Sequence, residues 1–337
     1  MFKYKIEPYI LEFIKPAITS RNAFTERKIF LIHLEDSHGS KGVGEASPLS
    51  LLSIDDTEDY EQILETKLQE FCEVGNLNLI DLEDYPSIKF GMETALLDLG
   101  STTGNLFNTP FTRGEQVIPI NGLVWMGDAE TMLLEAFNKI KAGYDVIKIK
   151  VGALDFDSEC RILESIRKKY SAFKITLRLD ANGGFSDSDA TEQLKELSRF
   201  EIHSIEQPVK PGNWDVMAKL CSEAKIDIAL DEEIIGIHPG HQGDEVLKAI
   251  KPRYIILKPN LVGGLNAADQ WIRAAQKHNV EWWATSALES NIGLNAIAQW
   301  VSTYNTSLHQ GLGTGALFKN NFESKLSLSK GLMSYKV

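Results

Sequence analysis

A chain of 337 residues, 43% hydrophobic and 24% charged, has the make-up of an ordinary globular protein with room for one large domain and a smaller one. Its formal charge of −12, with no basic run to offset it, argues against a nucleic-acid partner. No window approaches the roughly 18 uninterrupted apolar residues of a membrane span, and Cys72, Cys160 and Cys221 are odd in number and without CxxC spacing, so a disulfide framework and a zinc knuckle are set aside in favour of a reducing cytoplasm.

The N-terminus, MFKYKIEPYILEFIKP, interleaves charged and apolar residues without a secretory core and reads as a first strand. Strand patterns at Phe2–Phe13 and Lys28–Glu35 flank a polar connection and precede "GVGEASPL"; helical patterns follow at Asp56–Cys72 and Ser87–Gly100. Residues 1–110 are thus expected to form a small α+β capping domain, and Thr102–Gln116, rich in Gly, Pro and Thr, a linker.

From Val117 the chain alternates short apolar strands with amphipathic helices. The strands are "VIPING", "VIKIKV", "ITLRLD", "IHSIEQP", "IDIALDE", "YIILKPN", "EWWATSA" and "LHQGLG". The helices fall at Ala129–Lys141, Asp157–Lys169, Ser188–Ser198, Asn213–Glu223, Val246–Ile250, Gly264–His278 and Ile292–Tyr304. That alternation predicts an α/β fold, a (β/α)8-type barrel over 117–313 behind the cap, with 314–337 as a C-terminal extension packing back on the cap. A doubly wound open sheet is the competing architecture.

The end of each strand carries a polar residue: Lys150, Asp180, Glu206, Asp231, Lys258 and Ser286, in steps of about 25 to 30 residues, the length of one βα unit. The repeat sets all six at the C-terminal mouth of the barrel. Asp180, Glu206 and Asp231 come from consecutive strands, and three converging carboxylates call for a divalent cation. Oxygen ligands with no Cys or His beside them favour Mg²⁺, with Mn²⁺ a substitute. Lys148 and Lys150 precede the triad on one face of a strand and Lys258 follows it, so acid/base groups flank the ion. A dication and a second ammonium would both lower a lysine pKa toward the range of a working base, with Lys148 tuning Lys150 or binding an anionic substrate group. The chemistry indicated is proton abstraction from a carbon next to a carboxylate.

"GEASPL", "FGMETALLDLG", "KIK", "RLDAN", "IEQP", "LDEE", "LKPNLVGG" and "SALESNIGLNAIAQ", in this order along nearly the whole chain, resemble the enolase superfamily and its muconate-cycloisomerase-like subgroup. "TSALESNIGL" and "HQGLGTGALF" are most similar to the o-succinylbenzoate synthase family within it. That resemblance implies a cytoplasmic lyase of menaquinone biosynthesis acting on a small carboxylate. It further implies Lys150 as the base that removes the α-proton and then, as an acid, assists loss of hydroxide, Lys258 as the cation on the opposite face, and Asp180, Glu206 and Asp231 as Mg²⁺ ligands. Ser286 would meet the substrate's succinyl carboxylate, and Thr19–Arg27 would close over the site. Arg178 and Asn182 flank Asp180 at two-residue spacing and face inward. Glu232 should point away from the mouth, and Glu289 should orient Lys258 or cap the next helix.

Other readings remain open from the residues. Racemisation, dipeptide epimerisation or muconate-type cycloisomerisation would use the same lysines; against the epimerases, "GLGTG" lacks the Asp-x-Asp they usually carry at strand eight. A Schiff-base lysine and a non-catalytic binding barrel are the alternatives from other classes. "GLGTGA" has too little chain after it for a dinucleotide site, His238 and His241 lack a third metal-ligand partner, and Trp282 and Trp283 are expected to pack on alternate faces of a strand. Nothing in the sequence specifies an oligomeric state.

Overall fold

The computed structural model describes residues 2–18, 23–101 and 103–337. The chain opens with an antiparallel sheet of β1 (Lys3–Ile18), β2 (Ala23–Glu35) and β3 (Lys41–Ala46). Behind it lie α1 (Tyr60–Val74) and α2 (Pro86–Leu99). Tyr60, Leu64, Leu68 and Phe71 recur at helical spacing on α1 and bury against β2 and α2, and Gly75, at φ 73°, ends the helix. Gly44 and Gly91 allow β3 to lie directly on α2: a Cβ on Gly44 would meet the Gly91 carbonyl oxygen at 2.0 Å.

The second layer follows as β4 (Ile118–Pro119), β5 (Gly122–Val124), α3 (Ala129–Lys141), β6 (Val146–Lys150), α4 (Phe156–Lys169), β7 (Thr176–Asp180), α5 (Ala190–Leu197), β8 (Ser204–Glu206), α6 (Trp214–Glu223) and β9 (Asp227–Leu230). It continues through α7 (His241–Ile250), β10 (Tyr254–Leu257), α8 (Pro259–Val262), α9 (Gly264–Lys277), β11 (Glu281–Ala284) and α10 (Asn291–Val301), and ends in the hairpin β12 (Leu326–Ser329) and β13 (Leu332–Tyr335). Strands β5 to β11 form one parallel sheet in chain order. Its outward side chains pack under the helices in the main core, whereas Trp283, Tyr254 and Ile256 fill the inside of the barrel.

This is the expected barrel, with two differences in its strands. "VIPING" is divided: Ile118–Pro119 pairs antiparallel with β13, and the first strand of the parallel sheet is Gly122–Val124. The eighth segment is no regular strand; it closes the barrel through single parallel bridges, Ile120 to Gln310 on one side and Thr285 to Gly311 on the other. The C-terminal segment also divides. Phe318 bridges to Phe13 of β1 and Asn320 caps that strand's edge, while the hairpin joins β4. Trp282 packs with Trp300 and Tyr304 outside the sheet and Trp283 faces inside, as expected. Among the described residues no helix is long and apolar enough to cross a membrane.

The cap is fastened to the barrel by carboxylates placed at the starts of barrel helices. Glu45 of β3 accepts hydrogen bonds from the Ser290 and Gly293 amides at the start of α10, both at 3.0 Å. Glu93 of α2 accepts from the Leu265 amide of α9 at 2.6 Å. Each satisfies amides that the helix itself leaves unpaired.

Burial pushes the Glu93 carboxyl up to about 7 in spite of those bonds. A folded value above the unfolded one means that this group's contribution to stability is complete below about pH 4.5 and is lost as the pH rises through about 7. Glu93→Gln should therefore flatten the decline in denaturation midpoint between about pH 5 and 8. Parallel midpoint curves for the variant and the parent protein would refute that assignment.

Candidate active site

Strand register brings the polar residues together. Lys148 lies opposite Arg178 and Lys150 opposite Asp180 in the β6–β7 pair, and Asp180 lies opposite Glu206 in the next. Asp231 and Lys258 directly follow β9 and β10. All seven belong to the mouth of the barrel or the layer just beneath, and all are withdrawn from water: Lys148 is 7% exposed, Lys150 6% and Asp180 1%.

Ammonium and carboxylate groups alternate there. Lys148 Nζ stands 2.9 Å from Asp180 Oδ2 and 2.6 Å from Glu206 Oε2. Lys150 Nζ donates to Asp180 Oδ2 at 2.9 Å and to Asn182 Oδ1 at 2.6 Å, and lies 5.7 Å from the Trp125 ring centre. Lys258 is ion-paired to Asp231. Asn182, in the left-handed region at φ 46°, donates its amide nitrogen to Glu232 Oε1 at 3.0 Å. Glu232 therefore turns toward the site, contrary to the sequence expectation, because the short 3-10 turn Glu232–Ile234 interrupts the alternation that a strand would have kept.

These pairings set the protonation states. Burial disfavours the charged forms throughout. The neighbouring carboxylates overcome it for the lysines, so Asp180 and Glu206 raise Lys148, and Asp231 and Glu206 raise Lys258. The lowering expected beside a bound dication is a separate case: in the protein alone the anions prevail at Lys148 and Lys258. Asp180 is held far below the usual carboxylate range against burial by Lys148 and Lys150, and Asp231 is lowered by Lys258. Glu206 moves the other way. Burial and the charges of Asp180 and Asp231 push it well up, and its Oε1 is buried with no hydrogen-bond partner.

Among the described residues no group of three or more His, Cys, Asp or Glu is drawn closely enough to hold a metal ion. The donor set nonetheless suits one. Three hard carboxylates lie at the strand ends, Glu206 keeps one buried oxygen without a hydrogen-bond partner, and its charge is disfavoured by burial and by Asp180 and Asp231 in spite of Lys148, so a hard divalent cation such as Mg²⁺ would suit the donors.

Lys148, Lys150, Asp180, Asn182 and Lys258 floor a cavity of about 300 Å³ bounded by both domains. Phe24 and the Leu49–Leu52 segment come from the cap; Trp125, Ser286, Leu288 and Thr314 come from barrel loops. Ser286 is at the wall, sharing a 2.6 Å hydrogen bond with Thr314. Arg178 is deeper, its guanidinium 3.9 Å above the Trp283 ring and donating to the His309 carbonyl at 2.7 Å, and burial lowers it to about 10. Glu289 takes neither expected position. It is fully buried beside Glu45 and Arg27, accepts from the Ala287 amide, and rises to about 7 through burial and the Glu45 charge; the cap of α10 is Ser290. Within the expected closing loop, Thr19–Asn22 lie outside the described residues, and Ala23–Arg27 begin β2. Of the cap wall, Phe24 lies in the segment expected to close over the site and Leu49 in "GEASPL", whereas Trp125, Leu51 and Leu52 carry no sequence signal beyond apolarity.

Comparison with known proteins agrees with this geometry. Residues 132–335 match the family described as "Enolase C-terminal domain-like", and residues 1–99 match "MenC, N-terminal domain". The o-succinylbenzoate synthase of Desulfotalea psychrophila is 41% identical, with 96% of each chain covered. The chain belongs to the o-succinylbenzoate synthase family of the enolase superfamily. The crystal structure of MenC from Desulfotalea psychrophila aligns with a TM-score of 0.86 at 38% identity over 99% of both chains. The L-Ala-D/L-Glu epimerase of Bacillus subtilis also aligns at 0.86, but at 22% identity, covering 99% of this chain and 95% of that one, and so shares the fold. Members of the enolase superfamily depend on Mg²⁺.

The ionisation pattern makes Asp180 and Glu206 unequal. In chelator at pH 7, Asp180→Asn strands two buried lysines and should cost about 3 kcal/mol or more in denaturant unfolding. Glu206→Gln removes a charge that burial, Asp180 and Asp231 already disfavour and should cost clearly less. Equal losses would contradict the pattern.

Proposed function

We propose that the chain catalyses the Mg²⁺-dependent dehydration of 2-succinyl-6-hydroxy-2,4-cyclohexadiene-1-carboxylate to o-succinylbenzoate, a step of menaquinone biosynthesis, in the cytoplasm. The observation that carries this reading is the 41% identity over nearly the full length to an o-succinylbenzoate synthase. The more distant racemases and epimerases share the scaffold, and the Gly311–Gly315 segment beside the cavity offers no carboxylate for an amino-acid ammonium.

In this reading Asp180, Glu206 and Asp231 hold Mg²⁺, with Mn²⁺ able to replace it. The bound ion supplies positive charge for the substrate carboxylate. Lys150 is aimed at the cavity by Asp180 and Asn182 and takes the α-proton. Lys258, reaching the cavity from the far side of the carboxylates, steadies the negative charge that spreads onto the substrate carboxylate. Lys150 then returns its proton to the departing hydroxyl on the same face, and the ring becomes aromatic. Lys148 keeps Asp180 and Glu206 in place and adds to the positive field. Ser286 meets the succinyl arm at the wall. Arg178 supports Glu206 from below, and Asn182 positions Lys150.

Rapid ultraviolet change on mixing protein, Mg²⁺ and the cyclohexadiene is expected, and excess chelator should abolish it. Lys150→Ala and Lys258→Ala should each lose about 10³-fold or more in kcat while the far-ultraviolet circular dichroism of the parent fold is retained. Turnover surviving in either variant would break the assignment of that lysine; no turnover by the parent protein would break the reading itself.

A further inference from the structure

The two walls of the cavity belong to different domains, and one buried side chain ties them together. Arg27 of β2 is only 4% exposed. Its Nη2 donates to the Ser47 carbonyl at 2.6 Å, its Nη1 to the Pro48 carbonyl at 3.0 Å and its Nε to the Leu288 carbonyl at 3.0 Å. Ser47 and Pro48 lead directly into Leu49–Leu52, the cap wall; Leu288 is in the barrel wall. Each of these bonds ends on a main-chain oxygen, so Arg27 fixes the path of the backbone on both sides of the substrate space. A guanidinium is suited to this, because its donors are set in a rigid planar fork.

The neighbours strengthen the tie. Leu288 sits in the left-handed region at φ 65°, a conformation costing a leucine about 1–2 kcal/mol, which the segment keeps only while held. Glu289, next along, accepts from the Ala287 amide at 2.8 Å and supplies negative charge to Arg27 together with Glu45. Asn260 Nδ2 donates to the same Ser47 carbonyl at 2.6 Å. Asn260 is two residues past Lys258, so the cap wall is linked to the segment that carries the second lysine.

We propose that Arg27 is a positioning residue for the dehydration: it clasps the cap wall to the barrel wall and so sets the cavity width that holds the substrate in line with Lys150 and Lys258. The inference rests on the activity argued above, and Arg27 acts without touching the reacting atoms.

Steady-state kinetics of the full-length Mg²⁺-loaded protein test it, with activity of the parent protein as the prior condition. Arg27→Met and Arg27→Lys should both raise KM about tenfold while kcat falls by less, because the lysines and carboxylates are untouched. The lysine variant keeps the charge and loses the fork. Guanidinium ion at tens of millimolar, added to Arg27→Ala, should bring KM back toward the parent value, a rescue that a purely structural loss would not show. Asn260→Ala, which leaves Arg27 in place should those variants fail to fold, should raise KM in the same direction. An active parent protein with parental KM in Arg27→Lys or Asn260→Ala, or an Arg27→Ala variant indifferent to guanidinium, would overturn the clasp.

Discussion

Everything at the barrel mouth follows from the cost of placing several charges out of water at once. An isolated buried ammonium or carboxylate would lose its charge or unfold the site. Alternation avoids both outcomes: Lys148 lies between Asp180 and Glu206, Lys150 beside Asp180, and Lys258 against Asp231. The arrangement demands exact strand register, since a slip of one residue would turn each of these side chains from the inside of the barrel into its apolar shell. It also explains the supporting contacts. Gln207, at φ 40°, takes the Asp231 and Glu233 amides on its side-chain oxygen and donates to Glu233 Oε2 at 2.9 Å, fixing the two strand ends that carry Glu206 and Asp231.

The cap extends the same logic to its own attachment. Its contacts with the barrel are not only apolar. Glu45 and Glu93 supply the starts of two barrel helices with acceptors, and Arg27 supplies carbonyls with donors, so polar groups left open by one domain are completed by the other. The two domains are thereby held at one relative position over the cavity, which has walls from both.

Much of this was legible in the sequence because two periods coincide. The two-residue period of a strand placed Lys148 with Lys150 and Arg178 with Asp180, and the βα repeat put one polar residue at each strand end. Both periods are local and survive into the fold. Long-range partners leave no such trace. "VIPING" has a strand's composition, but Ile118–Pro119 is recruited by β13 from far along the chain, displacing the barrel strand to Gly122–Val124. The expectation for Glu232 extends a strand alternation that ends at Leu230. Glu289 was matched to nearby Lys258 and to the adjacent helix, whereas its partners Glu45 and Arg27 come from the other domain. Trp125 under Lys150 is an aromatic residue like any other until the barrel closes around it.

The barrel's closing seam carries a consequence for how the protein is made. Seven strands add to one another in the order in which they leave the ribosome, each beside its predecessor, and β1 to β3 form a sheet from contacts within the first few dozen residues. The ring is sealed only by Gln310 and Gly311, reaching back to Ile120 on one side and Thr285 on the other, and the β12–β13 hairpin must still dock on β4. The Ile120–Gln310 and β4–β13 pairings span most of the barrel and carry a large loop-closure entropy. Until they form, the inward edge of β5 is open and the buried charges are wetted. Closing that seam is also what dries the charged cluster, and before it closes β5 and β11 each present an unpaired strand edge.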